Sequence, residues 1–120
     1  MGLDQWLCKR PLNSEEEKRI YWRKSNQIHG WFDRQCGEVM NCEEYDISYA
    51  QLKELRDTCQ KVLDNHDLAR ELLPVTRGCF FGSYSYDDSY FYDLEYTVKS
   101  LDKLLDESDE SDEFYYHAWW

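Results

Sequence analysis

The sequence predicts a single α+β domain over residues 1–120, in which about three main helices pack on a small antiparallel sheet. Three observations carry this prediction. A chain of 120 residues suits one domain. Apolar residues recur at helical spacing in separate stretches. Aromatic or alternating residues stand at both chain ends and at 79–83, so we expect the sheet to form from the termini and the 79–83 region.

The first predicted elements are a short strand and a long helix. Residues 2–9 alternate loosely between apolar and polar, which predicts a strand that Pro11 ends. Ser14 and Glu17 match a capping box, in which a hydroxyl and a carboxylate each satisfy a free backbone N–H. We therefore expect a helix from Ser14 to about residues 35–37.

The middle of the chain predicts a short strand and a second helix. Residues 45–47 form the strand candidate within a polar connection. Ser48 and Gln51 make a second capping box, and Asn65 is a plausible end for the helix that follows. A further short helical segment ends at Pro74 because proline cannot continue a helix.

The last predicted helix and strand are separated by an acidic loop. Asp87 or Asp88 caps a third long helix, whose apolar residues repeat every three or four positions. Residues 106–113 hold six acids and are expected to be solvated. The aromatic residues 114–120 would aggregate if exposed, so we expect them to dock as an edge strand, against the N-terminal strand.

Acidity is the strongest chemical signal. The net charge is −11, and it divides into +2 over residues 1–34 and −13 over the rest. Such a body repels nucleic acid and anionic membranes and attracts basic protein surfaces. The alternative is that the charge serves only solubility. The acidic surface predicted to bind consists of Asp87, Asp88, Asp93, Glu95, Asp102, Asp106, Glu107, Asp109, Glu110, Asp112 and Glu113.

An aromatic cluster adjoins the acids of the third helix. Tyrosine suits protein recognition because it is rigid, apolar and able to form hydrogen bonds. The alternative is that half of these rings are core. The cluster comprises Tyr84, Tyr86, Tyr90 and Tyr92.

A polar face of the first predicted helix offers an alternative site. Trp22, Asn26, His29 and Asp33 share one face at helical spacing. With Arg23 to hold a phosphate and Trp22 to stack on a base, this face could form a nucleotide pocket. His29 beside Asp33 could also act as a general base in a hydrolase. The simpler interpretation is that these groups bond the neighbouring chain, and no nucleophile or phosphate-loop motif supports an enzyme or a cofactor.

The cysteines predict reduced thiols. Five cysteines without a secretion signal or an apolar membrane span indicate a cytoplasmic protein. Cys36 and Cys42, with His29 nearby, are the only hint of metal ligands, and their spacing fits zinc poorly. We therefore expect no metal site, and Cys59 is expected to act as a small hydrophobic core residue.

Several strings resemble one family of small, functionally uncharacterised bacteriophage proteins. They are Met1–Asp4, Tyr21–Phe32, Leu72–Gly82 with Tyr86, Asp87 and Tyr90, and Phe114–Tyr116. The chain departs from the family in a short first connection and in its ending His-Ala-Trp-Trp. The resemblance implies a phage source and expression in the bacterial host cytoplasm. It implies no activity, so it assigns no functional residues.

Charge and resemblance together suggest a phage-encoded protein that inhibits a host protein. The expected partner is a nucleic-acid-handling or defence factor whose basic surface the acidic residues would occupy, as a DNA mimic does. We expect no direct contact with nucleic acid or membrane. The alternatives are a protein that sequesters a nucleotide signal through Trp22, Arg23, Asn26 and His29, and, more weakly, a small hydrolase.

Overall fold

The described part of the chain contains both strands and helices, with strands near both of its ends. The computed structural model describes residues 2–10, 17–78, 82 and 84–120, with the backbone alone at 17–19. The elements are β1 (Asp4–Arg10), β2 (Glu17–Arg23), α1 (Asn26–Cys36), β3 (Glu44–Ile47), α2 (Tyr49–Asp64), a 3₁₀ turn (His66–Leu68), α3 (Ala69–Leu72), α4 (Asp88–Asp106) and β4 (Glu113–Trp119). This confirms the predicted α+β class.

The four strands form one antiparallel sheet in the order β2-β1-β4-β3. The N-terminal and C-terminal strands make its central pair, so the prediction that the chain ends build the sheet is confirmed. The prediction that β4 is an edge strand is wrong, because β3 pairs along its other side with Tyr45 opposite Tyr116. The central position removes the aromatic strand from the exposed edge, where unpaired strands promote aggregation.

The first predicted helix is in fact a strand followed by a shorter helix. Ile20 and Trp22 are buried at 3% and 2% exposure, whereas Tyr21 between them is 42% exposed. This alternation is the period of a strand, and β2 pairs with β1 through Leu7 opposite Ile20. Glu17 therefore opens a strand, and residues 17–23 do not belong to the predicted helix.

Two expectations fall on residues that the structure does not describe. Ser14, the proposed cap, lies outside the described residues. So do 79–81 and 83 of the predicted 79–83 strand, and Gly82 belongs to no strand. The sheet that the structure does describe takes its remaining strands from β2 and β3.

The ends of the helices follow local capping signals. Helix α1 ends before Gly37, whose φ of +89° is the left-handed conformation that favours glycine. The Ser48–Gln51 capping box at the start of α2 is present in both directions, and Asn65 follows the last residue of that helix. The Asp87 side chain accepts a hydrogen bond from the Tyr90 backbone N–H at the start of α4. These four boundaries match the predicted ones.

The core lies between the inner face of the sheet and the three longer helices. Leu52, Leu55 and Cys59 of α2 face the core together with Leu94 and Leu101 of α4, all at 0% exposure. Burial raises the pKa of the Cys59 thiol to about 12, so it stays uncharged and acts as the predicted small hydrophobic residue. Among the described residues, no helix combines the length and the apolar character that crossing a membrane requires.

Candidate functional site

An acidic cleft forms where the loop after α4 approaches the ends of β1 and β3 and the start of α2. It encloses about 530 Å³. Four carboxylates line it: Asp46, Glu110, Asp112 and Glu113. Three of these lie in the acidic segment that the sequence singled out, whereas Asp46 comes from β3.

Strand pairing and an ordered turn position these carboxylates. Glu113 opens β4 directly opposite Arg10 of β1, and the neighbouring strand β3 ends beside it. In the turn, the Asp109 backbone N–H donates to Asp112 Oδ2 at 2.9 Å, and the Asp112 N–H donates back to the Asp109 carbonyl at 3.1 Å. Lys9 Nζ lies 3.4 Å from Asp112 Oδ2. The acidic loop is therefore tied to the sheet.

Among the described residues, Arg10 and the aromatic residues Tyr49 and Phe114 also line the cleft. Arg10 Nη2 lies 3.3 Å from Glu44 Oε1 and 3.8 Å from Asp46 Oδ1, and its guanidinium sits 4.5 Å from the centre of the Tyr115 ring. The Tyr49 hydroxyl donates to the Leu105 carbonyl at 3.3 Å, which orients its ring at the cleft wall. Carboxylates beside an aromatic ring favour a lysine or arginine side chain as occupant.

The acidic residues of α4 do not form the continuous row that the sequence suggested. Arg56 holds Asp102 through hydrogen bonds of 2.7 and 3.4 Å. Asp93 is half-buried and accepts from Gln27 Nε2 at 3.4 Å. Burial raises the pKa of Asp93. Lys99 follows Glu95 by one helical turn and breaks the negative face. Charge is concentrated instead at the loop and the cleft.

The predicted tyrosine surface is divided among three roles. Tyr90 is 3% exposed and donates to the Leu73 carbonyl at 2.7 Å, so its assignment to a binding surface is wrong. Tyr84 and Tyr86 accept from the backbone N–H groups of Gly78 and Val75, both at 3.2 Å, and secure that segment. Only Tyr92 of the four is largely open, at 65% exposure.

The predicted nucleotide pocket is not assembled. Trp22, Asn26 and His29 are all at most 3% exposed, and their polar groups are bonded internally. Trp22 also lies on β2, so it does not share a helical face with the others. Arg23 and Lys24 do line a cavity of about 250 Å³, but Asp87 and Asp93 line it too and offset their charge.

His29 belongs to a buried hydrogen-bond network instead of a hydrolytic pair. The Tyr116 hydroxyl donates to Gln5 Oε1 at 2.9 Å, and Gln5 Nε2 donates to the Ser25 carbonyl at 3.0 Å. Because the only hydroxyl proton of Tyr116 goes to Gln5, His29 Nδ1 must donate in its 2.7 Å contact with Tyr116. Asp33, the proposed partner, accepts from the Val39 N–H at 2.8 Å. The geometry therefore supports the simpler interpretation, in which these polar groups form hydrogen bonds with neighbouring parts of the chain.

We expect stability to fall as pH drops from neutral, because of His29. Burial lowers the pKa of His29 below its usual value of 6.5, an effect that exceeds the opposing charge of Asp33. The unfolded chain therefore takes up a proton near pH 6.5 while the folded protein does not, so stability falls from there down to the folded pKa. Urea midpoints between pH 8 and 5 measure this. His29→Gln should flatten the slope, and a slope equal to that of the parent protein would contradict the assignment.

The proposed cysteine ligands are not arranged around a metal. Cys36 is half-buried and Cys42 is exposed, at opposite ends of the connection between α1 and β3. Within residues 2–10, 17–78, 82 and 84–120, no group of three or more histidine, cysteine or acidic side chains is placed to hold a metal ion. Burial and the charge of Asp33 raise the pKa of the Cys36 thiol, which keeps it protonated.

Three residues of the cleft escaped sequence reasoning. Arg10, Asp46 and Tyr49 lie far along the chain from the acidic loop and carry no motif of their own. The available signal was the predicted docking of residues 114–120 against the N-terminal strand, because it brings the acidic loop that precedes them to that strand. No family model, curated protein or solved structure matches this chain.

Proposed function

We propose that this chain is a binding protein that holds a basic, nucleic-acid-binding surface of a partner protein in its acidic cleft and thereby inhibits that partner. The observation that carries the proposal is the cleft itself, in which four carboxylates and the Tyr49 ring surround about 530 Å³. A concave site holds a lysine or arginine side chain on several sides, which a flat acidic surface cannot do.

The electrostatics of the whole chain support the same partner. A net charge of −11 accelerates encounter with a basic protein and disfavours nucleic acid as a direct ligand. Carboxylates in a cleft with low-dielectric walls act more strongly than the same groups on an open surface. The ties from Lys9 and from within the turn hold the acidic loop in place before binding, which lowers the entropic cost of association.

The resemblance to phage proteins gives this activity a setting. In an infected bacterium, many defence and replication proteins bind nucleic acid through basic grooves. A small acidic protein in the host cytoplasm would compete with phosphates for such a groove. The carboxylates of the cleft and loop, more than those of α4, would take the place of the phosphates, since Arg56 and Lys99 offset the charge of α4.

Neutralising the cleft should weaken binding to a basic ligand. We expect the triple variant Asp46→Asn, Glu110→Gln, Glu113→Gln to bind a fluorescent octalysine peptide at least tenfold more weakly in low salt, a loss of about 1.4 kcal/mol. These three substitutions leave the ion pair between Lys9 and Asp112 intact. Fluorescence anisotropy at low and at roughly 0.5 M salt measures the affinity and its screening.

The matched control removes the same charge elsewhere. Glu54→Gln, Asp88→Asn and Glu95→Gln lie outside the cleft and change the net charge equally. This control should retain most of the affinity. Equal weakening in the two triple variants would mean that net charge alone attracts the peptide and would overturn the cleft assignment. The same two triple variants can then be tested on a basic host protein captured from lysate. The control variant, whose cleft is intact, should displace that protein from duplex DNA, and the cleft variant should not.

A further inference from the structure

A second cavity lies at the other end of the central strand pair. It encloses about 600 Å³ and is lined by Gly2, Asp4, Trp6, Trp119 and Trp120. Asp4 and Trp119 are cross-strand partners, and Trp6 lies two residues along the same face of β1. The acidic cleft begins at the Arg10–Glu113 pair of the same strands. Six residues of strand therefore separate the two sites by about 20 Å.

The walls of this tryptophan cavity are held by neighbouring side chains. The Trp6 ring stacks on the His117 ring of β4, with ring centroids 5.4 Å apart. On the other side of β1, the Tyr21 ring of β2 lies 5.7 Å from the Trp6 ring, measured between centroids. Asn41 fixes the Trp120 backbone through two hydrogen bonds, of 2.9 and 3.0 Å. Trp119 is 58% exposed, which is unusual for so large an apolar ring. Two walls are thus preformed, and the third is open to a ligand.

The chemistry of the cavity favours an organic cation. Indole is the strongest aromatic partner of a cation, and three indoles meet here beside one carboxylate. Tyr21 donates a hydrogen bond to Asp4 Oδ1, which leaves Oδ2 for a ligand. The net charge of −11 adds to the attraction. A neutral apolar ligand would use the rings but would leave the carboxylate desolvated without compensation.

Among cations, the guanidinium group fits best. It is planar, so it stacks flat on an exposed indole such as Trp119 while its edge donates hydrogen bonds to a carboxylate. An ammonium group is more strongly hydrated and has no flat face, so it gains less from an open wall. We propose that the tryptophan cavity binds an arginine side chain of a partner protein. This goes beyond the proposed function, because it assigns a second contact that does not depend on the acidic cleft.

The test is an NMR titration of the indole N–H signals, assigned by single Trp→Phe variants. The probe is a blocked Gly-Arg-Gly peptide, compared with the same peptide carrying citrulline, a neutral isostere of arginine, and with tetramethylammonium. We expect saturable shifts of the Trp119 and Trp6 signals with the arginine peptide and at least tenfold weaker binding of the other two. Equal binding of the citrulline peptide, or tighter binding of tetramethylammonium, would overturn the arginine assignment.

Two variants separate this site from the acidic cleft. Asp4→Asn retains the oxygen that accepts from Tyr21 but removes the charge, and it should weaken the arginine peptide at least tenfold. Glu54→Gln, which removes one exposed charge on α2 outside both cavities, should leave that affinity unchanged. If Asp4→Asn binds as well as the parent protein and unfolds at the same urea concentration, the assignment is wrong. Loss of octalysine binding in the cleft variants, with arginine-peptide binding retained, would show that the two sites act independently.

Discussion

Replacement of Trp22 by alanine is expected to destabilise the protein by about 3–5 kcal/mol, the range for removing a large buried aromatic side chain. Trp22 is 2% exposed and lies 6.0 Å from the Phe32 ring, measured between centroids. Its indole N–H donates to Thr97 Oγ1 at 2.8 Å across the interface between β2 and α4. The substitution therefore removes apolar contact and leaves a cavity where a strand meets a helix.

Urea unfolding followed by circular dichroism measures this loss of stability. Two further variants test how much of the loss comes from the indole donor and from the burial of the ring. Trp22→Phe keeps one aromatic ring but removes the indole donor together with part of the ring contact, so it should cost more than the loss of one hydrogen bond, about 1 kcal/mol, and less than Trp22→Ala. Trp119→Ala makes the same change at a ring that is 58% exposed, and it should cost much less than Trp22→Ala. Equal losses at positions 22 and 119 would refute the burial of β2 against the helices. They would also restore the possibility that Trp22 is open to a nucleotide.

Gly30→Ala is expected to destabilise the protein by about 1–3 kcal/mol, although alanine is the better helix former. Gly30 lies in the middle of α1, where a Cβ atom would come within 2.1 Å of Thr76 Oγ1. Thr76 cannot simply withdraw, because its backbone N–H donates to Asn26 Oδ1 on the same helix at 2.9 Å. The glycine therefore permits the close approach of the segment that follows Pro74.

A double-mutant cycle with Thr76→Ala tests the cause. In that background the nearest remaining atoms are Nη1, at the end of the flexible Arg34 side chain, at 3.3 Å and the Cβ of residue 76 at 3.4 Å. Gly30→Ala should then be neutral or stabilising by up to about 1 kcal/mol, the helix-propensity difference between glycine and alanine. Chemical denaturation of the four proteins gives the coupling energy. Additive losses would show that the helix and the segment do not meet at Thr76.

Local chemistry predicted much of the helical structure. The Ser48–Gln51 pair and Asn65 marked both ends of α2, and the three-and-four repeat predicted α4 after its Asp87 cap. Hydrogen bonds within a few residues determine such boundaries, so a single sequence contains the information. The pairing of the chain ends was also predictable, because the aromatic residues of β4 required burial somewhere.

The second strand was not predictable in the same way. Residues 17–23 precede a real helix, and Tyr21 fits the apolar stripe of that helix when it is extended backwards. The strand forms because β1 offers its backbone groups and because Ile20 and Trp22 reach the core together. Both causes depend on residues distant in sequence, so a local pattern could not distinguish a strand at residues 17–23 from a longer helix.

The candidate sites divide along the same line. The sequence by itself determined the charge of −11, its concentration after residue 34, and the solvated acidic loop with Glu110, Asp112 and Glu113. Only the tertiary structure decided that Asp46 joins them in a cleft, that His29 is internal, and that three tryptophans meet beside Asp4. Charge and capping follow from residue identity and near neighbours. Concavity and burial follow from strand pairing across the whole chain, and a single sequence does not display that pairing.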